Sequence, residues 1–256
     1  MDPTASSAEL WSGCPEIEAP GPVDIVTTDA AQFLLVMGGD DPFVTAQPGQ
    51  RQTAAAEQAH RLLDVSLACA ILVLVFPLLI VCAVAVRCSS PGPILFRHTR
   101  IGRDGRKFDC IKLRTMCERA DVAITELVGS SPESLAEWAA NHKLMRDPRT
   151  TAVGTILRRY CLDELPQLFN VLAGDMSIVG PRPIVADEVK RYGALIGFYC
   201  SVRPGLTGLW QVSGRHSLSY RERVMLDARY AQTKCIRLDL LIVFKTIPVV
   251  LFGQNQ

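Results

Sequence analysis

The sequence predicts an α/β protein: a small mixed domain with amphipathic helices, attached near its N-terminal side to an apolar membrane segment. Three observations carry that expectation. Residues Leu62–Val86 form a nearly uninterrupted apolar run. After it, short runs of strand character alternate with stretches whose apolar residues recur at helical spacing. Charge is split along the chain: residues 1–60 hold nine acids and one base, leaving 26 bases against 17 acids in residues 61–256. A basic body beside an apolar anchor suits anionic lipid headgroups and phosphate-bearing substrates, and an ordinary solvated surface carries the same charge. No nucleic-acid partner is expected.

Residues 1–57 are rich in Pro, Gly, Ala, Thr and acids, with one short apolar patch at Phe33–Met37. They read as a disordered acidic segment. The chain start lacks a basic region followed by an apolar core, so it does not read as a signal peptide. Residues 58–88 form the membrane segment. The 25 residues of Leu62–Val86 would reach about 37 Å as one helix, against a hydrocarbon core of about 30 Å. Pro77 removes a helix hydrogen bond inside the run, and basic residues flank it at Arg61 and from Arg87 onward. Both features fit a re-entrant hairpin. A kinked single span fits the residues equally well, and the two topologies stay open.

Residues 89–256 form the second, globular unit. Ser89–Pro93 is a turn cluster, and Ile94–Arg97 and Lys107–Leu113 read as strands around a loop, Gly102–Gly105. Ala120–Met145 reads as helical. Asp163–Leu172 reads as a short helix with Leu165, Leu168, Phe169 and Leu172 on one face. Tyr220–Thr233 is a further amphipathic helix. The apolar tail Ile236–Phe252, interrupted by Arg237, Asp239 and Lys245, suits an interfacial helix better than a span.

The cysteines are nine, irregularly spaced and without a C-x-x-C pair, which points to reduced thiols and excludes a recognisable zinc site. Gly102-Arg103-Asp104-Gly105 lacks the pattern of a nucleotide-binding glycine loop. The densest polar constellation is Arg158-Arg159-Tyr160-Cys161-Leu162-Asp163-Glu164. Adjacent carboxylates can hold a divalent metal, and one can attack phosphorus to give an acyl phosphate. Arginines beside them can neutralise phosphate oxygens. Acids in a first helical turn are also ordinary helix-start residues, so the constellation alone leaves both readings open. Two rigid Gly/Pro/Arg segments follow, Gly174–Pro183 and Arg203–Gly208, the second extended by Gln211–Arg215. Such turns make good phosphate clamps, and they also simply shape the chain.

Taken together, these stretches resemble the monotopic phosphoglycosyl transferases, the bacterial sugar transferase family that initiates polysaccharide assembly. The matching strings are RLLDVSLACAILVLVFPLLI, FRHTRIGRDGRKFDCIKLRTM, LRRYCLDELPQLFNVLAGDMSIVGPRP and VRPGLTGLWQVSGR, followed by LDARY. They occur in family order from about Gln58 to the C-terminus. The resemblance implies a small α/β domain with interfacial amphipathic helices, anchored by a re-entrant helix-break-helix whose break falls at Pro77. The family usually has Ser-Pro at that point, whereas this chain has Phe76-Pro77 and keeps only the proline.

The resemblance also implies a reaction. Asp163 attacks the β-phosphate of a UDP-hexose and releases UMP, and the phosphosugar passes to polyprenyl (undecaprenyl) phosphate, initiating exopolysaccharide synthesis. Glu164 matches the second acid of the dyad, and with Asp163 it would help place Mg²⁺. Arg158, Arg182 and Arg203 match positions expected near phosphates, with Lys112, Gln211, Arg215 and Asp227 as further candidates. Glucose or galactose is the expected sugar, with N-acetylated hexoses open. The implied location is the bacterial inner membrane, with the catalytic domain facing the cytoplasm. Homodimerisation and contacts with other polysaccharide-assembly proteins are left open. Two other functions remain: a glycosyltransferase releasing UDP, and a non-catalytic membrane scaffold.

Overall fold

The computed structural model describes residues 53–117, 149–214 and 218–252, with side chains to residue 248 in the last stretch. The Ala120–Met145 helix, Arg215 and nearly all of the acidic segment therefore lie outside the described residues.

Helix α1 spans Ala54–Ser89, and Thr53 caps it by accepting from the Ala56 amide. It starts ahead of the boundary expected at residue 58. The helix also runs through Pro77 without interruption, so one helix stands where a helix-break-helix was expected. A proline costs a single i→i−4 bond, and its neighbours supply enough others to carry the helix past it. One stripe of α1 faces the rest of the chain. It comprises His60, Asp64 and Ala68, then partly buried Leu72 and Val75, then Leu79, Cys82 and Val86. The remaining faces are apolar and exposed, with Val73 at 78% and Leu74 at 81%. A continuous apolar surface of this kind requires a membrane or a partner. The helix is long and apolar enough to cross a membrane.

Strands β1 (Leu95–Ile101) and β2 (Lys107–Leu113) pair antiparallel, with Leu95 opposite Leu113 and Ile101 opposite Lys107. The first strand is longer than its sequence signal. A 3-10 turn at Arg103–Gly105 closes the hairpin. Helix α2 (Ala152–Arg159) is capped by Thr151, whose hydroxyl accepts from the Gly154 amide at 2.9 Å. A 3-10 turn, Leu162–Glu164, then precedes α3 (Gln167–Ala173). This corrects the single helix expected over Asp163–Leu172. Pro166 stands at the N-cap of α3, and the two acids fall in the separate turn before it. The buried face of α3 is Gln167, Leu168, Asn170 and Val171, while Phe169 is 48% exposed. Two buried amides therefore replace part of the expected leucine face. Asn170 explains one substitution: its side chain accepts from the Ile111 amide and donates to the Asp109 carbonyl, joining α3 to β2.

Strand β3 (Ser177–Val179) pairs parallel with β4 (Gly205–Thr207). Between them lie α4 (Val189–Tyr192) and α5 (Ile196–Ser201). Helices α6 (Leu209–Val212), α7 (Tyr220–Thr233) and α8 (Ile236–Phe252) complete the chain. The main core joins Ala68 of α1 to Leu168, Val171, Ile178, Tyr230 and Ile242. A second cluster, Cys82, Val86, Leu113 and Leu157, holds the far end of α1 against β2 and α2. Helix α8 is two-faced: Leu238 and Ile242 are buried, whereas Leu240, Phe244 and Ile247 are exposed.

Candidate active site

The site is assembled by a backbone reversal. Cys161 adopts a left-handed conformation (φ 56°) between α2 and the 3-10 turn, uncommon for a residue other than glycine. The reversal turns Asp163 and Glu164 back toward β2. There Lys112 donates from Nζ to Glu164 Oε1 at 2.6 Å, and Arg182 Nη2 stands 3.8 Å from the same oxygen. Burial works against ionising Glu164, but Lys112 and Arg182 outweigh it and bring the carboxyl down to about 2. Asp163 behaves oppositely. It is 8% exposed, and burial, then the neighbouring Glu164 charge, raise its carboxyl above the ordinary aspartate value. Lys112 and Arg158 offset only part of that rise. Two adjacent acids are thus driven apart in basicity, the pattern expected when neighbouring carboxyls take different roles.

Arg158 is aimed by two threonines. Its Nε donates to Thr115 Oγ1 at 2.9 Å and its Nη1 to Thr150 Oγ1 at 3.2 Å. Next to the dyad lies an open cleft of about 280 Å³, solvent at its mouth included, lined among others by Lys112, Glu164, Gln167, Arg182, Gln211 and Arg100. Its wall includes Gly205, which packs against Gly180: a Cβ on Gly205 would fall 2.0 Å from the Gly180 amide nitrogen. The two Gly/Pro/Arg segments therefore cross through bare backbone. This close approach explains both glycines.

The structure thus brings together Asp163, Glu164, Lys112, Arg182, Gln211 and, through its charge on Asp163, Arg158. It does not bring Arg203. That side chain turns away to donate to the Gly174 carbonyl at 3.0 Å and to approach Glu57 at 3.6 Å. Asp227 is 1% exposed on α7, where it accepts from the Tyr192 hydroxyl at 2.7 Å, and it is not on the cleft wall. Pro77 lies in α1. Two cleft residues, Arg100 and Gln167, escape the sequence reading. Arg100 sits inside the FRHTRIG string without any mark of its own, and Gln167 looks like one polar residue in a helix.

Among the described residues, no three His, Cys, Asp or Glu side chains converge to hold a metal ion. The dyad supplies two carboxylates, and Glu164 is already engaged by Lys112. That set fits Mg²⁺ in the mode where one or two carboxylates share the ion with substrate phosphate oxygens.

The chain matches the family described as bacterial sugar transferase over residues 55–253. It is 47% identical over 198 residues to the exopolysaccharide production protein ExoY of Rhizobium meliloti, covering 77% of this chain and 88% of that one. It is 40% identical over 228 residues to the UDP-glucose:undecaprenyl-phosphate glucose-1-phosphate transferase of Caulobacter vibrioides, covering 86% and 80%. The undecaprenyl-phosphate galactose phosphotransferase of Salmonella typhimurium is 46% identical over 191 residues, covering 75% of this chain and 40% of that protein.

Proposed function

This chain belongs to the bacterial sugar transferase family, and on that premise we propose that it moves a hexose-1-phosphate from a UDP-hexose to undecaprenyl phosphate, the first step of exopolysaccharide synthesis. Relatives named for glucose and for galactose transfer make these two sugars the favoured donors. The observation that carries the mechanism is the division of the dyad: a desolvated, more basic Asp163 beside a Glu164 kept ionised by Lys112.

Asp163 is the nucleophile in this reading. Its carboxylate oxygen bonds to the β-phosphorus, the bond from that phosphorus to the bridging oxygen breaks, and UMP leaves with the electron pair. A phosphate oxygen of undecaprenyl phosphate then attacks the same phosphorus, and the Asp163 carboxylate departs. A desolvated carboxylate is a stronger base and nucleophile than a hydrated one. Arg158 and Arg182 balance the charge of the phosphoryl group in transit. Asp163 and Glu164 would hold Mg²⁺, which would supply further neutralisation of that charge.

We place the domain on the cytoplasmic face of the inner membrane, with α1 lying along the domain and its exposed apolar faces turned to lipid. Support comes from the two ends of α1 packing on one body. At the start, Arg61 donates to the Val171 and Leu172 carbonyls at 2.6 and 2.8 Å. At the end, Val86 packs with Leu113 and Leu157. A straight helix of 36 residues would span about 54 Å, more than a hydrocarbon core, so a perpendicular span would carry one end far from the domain. Apolar side chains left exposed on α3 and α8 suit the headgroup boundary.

The test is to incubate detergent-solubilised protein with undecaprenyl phosphate, Mg²⁺ and a panel of UDP-sugars, measuring UMP and UDP separately. UMP release with one UDP-hexose, abolished in Asp163→Asn while membrane association persists, is expected. UDP release would move the protein to glycosyltransferases. Full activity of Asp163→Asn would end the covalent mechanism, and neither nucleotide from folded protein would leave the scaffold reading.

A further inference from the structure

The cleft contains more positive charge than its acid can satisfy. Arg100, Lys112 and Arg182 line it, against one carboxylate, Glu164. Lys112 is committed to that carboxylate at 2.6 Å. Arg182, at 3.8 Å from the same oxygen, is beyond hydrogen-bond reach. Among the described residues, the acidic neighbour of Arg100 is Glu188, at 3.9 Å. Glu188 is occupied elsewhere, accepting from the Val185 amide at 3.0 Å and facing Arg223 at 3.8 Å.

Arg100 is nevertheless held in place. Its Nη1 donates to the Pro183 carbonyl at 3.2 Å, and its Nη2 faces His98 Nδ1 at 3.2 Å. Pro183 directly follows Arg182 in the rigid Gly180–Pro183 segment. One turn therefore presents Arg182 to the cleft and orients Arg100 through a neutral carbonyl. A fork oriented by neutral groups, with its acidic neighbour Glu188 no closer than 3.9 Å, is a preorganised anion receptor. Burial, followed by the Arg182 charge, pulls the Arg100 guanidinium below its ordinary range. Two like charges kept close at such a cost are relieved by an anion between them.

We propose that Arg100 and Arg182 form an anion seat for phosphate oxygens, making Arg100 a substrate-binding residue of this site. The inference rests on the phosphotransfer reading above and adds to it the residue that grips the diphosphate. Both the UDP-hexose and the lipid acceptor carry phosphate. The seat is assigned to the donor diphosphate, because a pair of forks matches the oxygens of two linked phosphates.

The experiment compares the parent enzyme with Arg100→Gln and Arg100→Lys, measuring UMP release as each substrate is varied in turn. Arg100→Gln is expected to raise KM for the UDP-hexose about 10- to 100-fold, the effect of one lost charge-assisted hydrogen bond, with kcat changed less than about threefold. KM for undecaprenyl phosphate should stay put, and Arg100→Lys should recover part of the loss. A rise confined to the lipid KM would keep the seat and assign it to the acceptor. Unchanged KM values for both substrates would overturn it. If the Gln variant does not fold, the Lys variant carries the same test, since it keeps the charge and loses the fork. Thermal stabilisation by UMP and by inorganic pyrophosphate, measured in the Asp163→Asn background, gives a readout without turnover. It should be weakened when Arg100 is also changed, and equal stabilisation would count against the seat. An inactive parent enzyme would defeat the phosphotransfer reading, whereas an active parent with indifferent Arg100 variants would defeat the seat alone.

Discussion

Lys112 Nζ and Glu164 Oε1 lie 2.6 Å apart, across 52 residues of sequence, and this contact sets the charge state of the acidic pair. With Lys112 in place Glu164 remains a carboxylate at any physiological pH. Its negative charge in turn helps keep the Asp163 carboxyl above the usual aspartate range.

Removing Lys112 should therefore disturb both acids. Lys112→Met is expected to lower UMP release by about 10- to 100-fold, the effect of leaving a half-buried carboxylate without its partner. Because the two side chains act as a unit, Lys112→Met with Glu164→Gln should lose less than the two single losses combined. A double variant whose losses simply multiply would show that the ion pair is not coupled to turnover.

Arg158 offers a pH test. Asp163 must be ionised to attack, and its raised value places the acid limb of the rate profile above ordinary aspartate titration. The Arg158 charge pulls that value down. Arg158→Gln should move the acid limb of kcat/KM to higher pH. A limb that stays in place while the rate falls would confine Arg158 to binding.

Asp227 controls stability rather than the cleft. Burial pushes its carboxyl up to about 7, with the Tyr192 hydrogen bond and the Arg223 charge opposing. In the unfolded chain the value is about 4. Between those limits the native state binds a proton that the unfolded state has lost, so the contribution of this group is full below about pH 4 and is lost as pH rises through about 7. Asp227→Asn keeps an acceptor for Tyr192 and removes the titration. Its melting temperature relative to the parent should climb from about pH 5 to about pH 8. A constant difference across that range would show that Asp227 does not titrate there.

Asp64 pins α1 to the sheet. Its carboxylate accepts from Ser177 Oγ at 2.8 Å and from the Ile178 amide at 2.8 Å, all in buried surroundings. Asp64→Ala leaves both donors without a partner and should cost about 2–4 kcal/mol, read as a lower melting temperature in detergent. Asp64→Asn, which retains an acceptor, should lose less. Equal losses in the two variants would mean that charge, not hydrogen bonding, is what α1 contributes there.

The sequence by itself determined the local elements and the family. The apolar run of α1, strand β2, and α7 with its Ser219–Glu222 capping box all follow from periodicity and cap chemistry between residues a few positions apart. The Asp-Glu pair was visible as a motif, though its helix was not. Cys161, a cysteine in a left-handed turn, carries no sequence signal for the reversal that separates the acids from α3. Only the tertiary structure decided which side chains meet. It sent Arg203 to Glu57, sealed Asp227 against Tyr192, and brought Arg100 to the cleft through the Pro183 carbonyl, 83 residues away. The physical reason is one of range. Helices and turns are set by hydrogen bonds between near neighbours, whereas burial, ion pairing and carboxyl basicity depend on groups that only the packed chain places together.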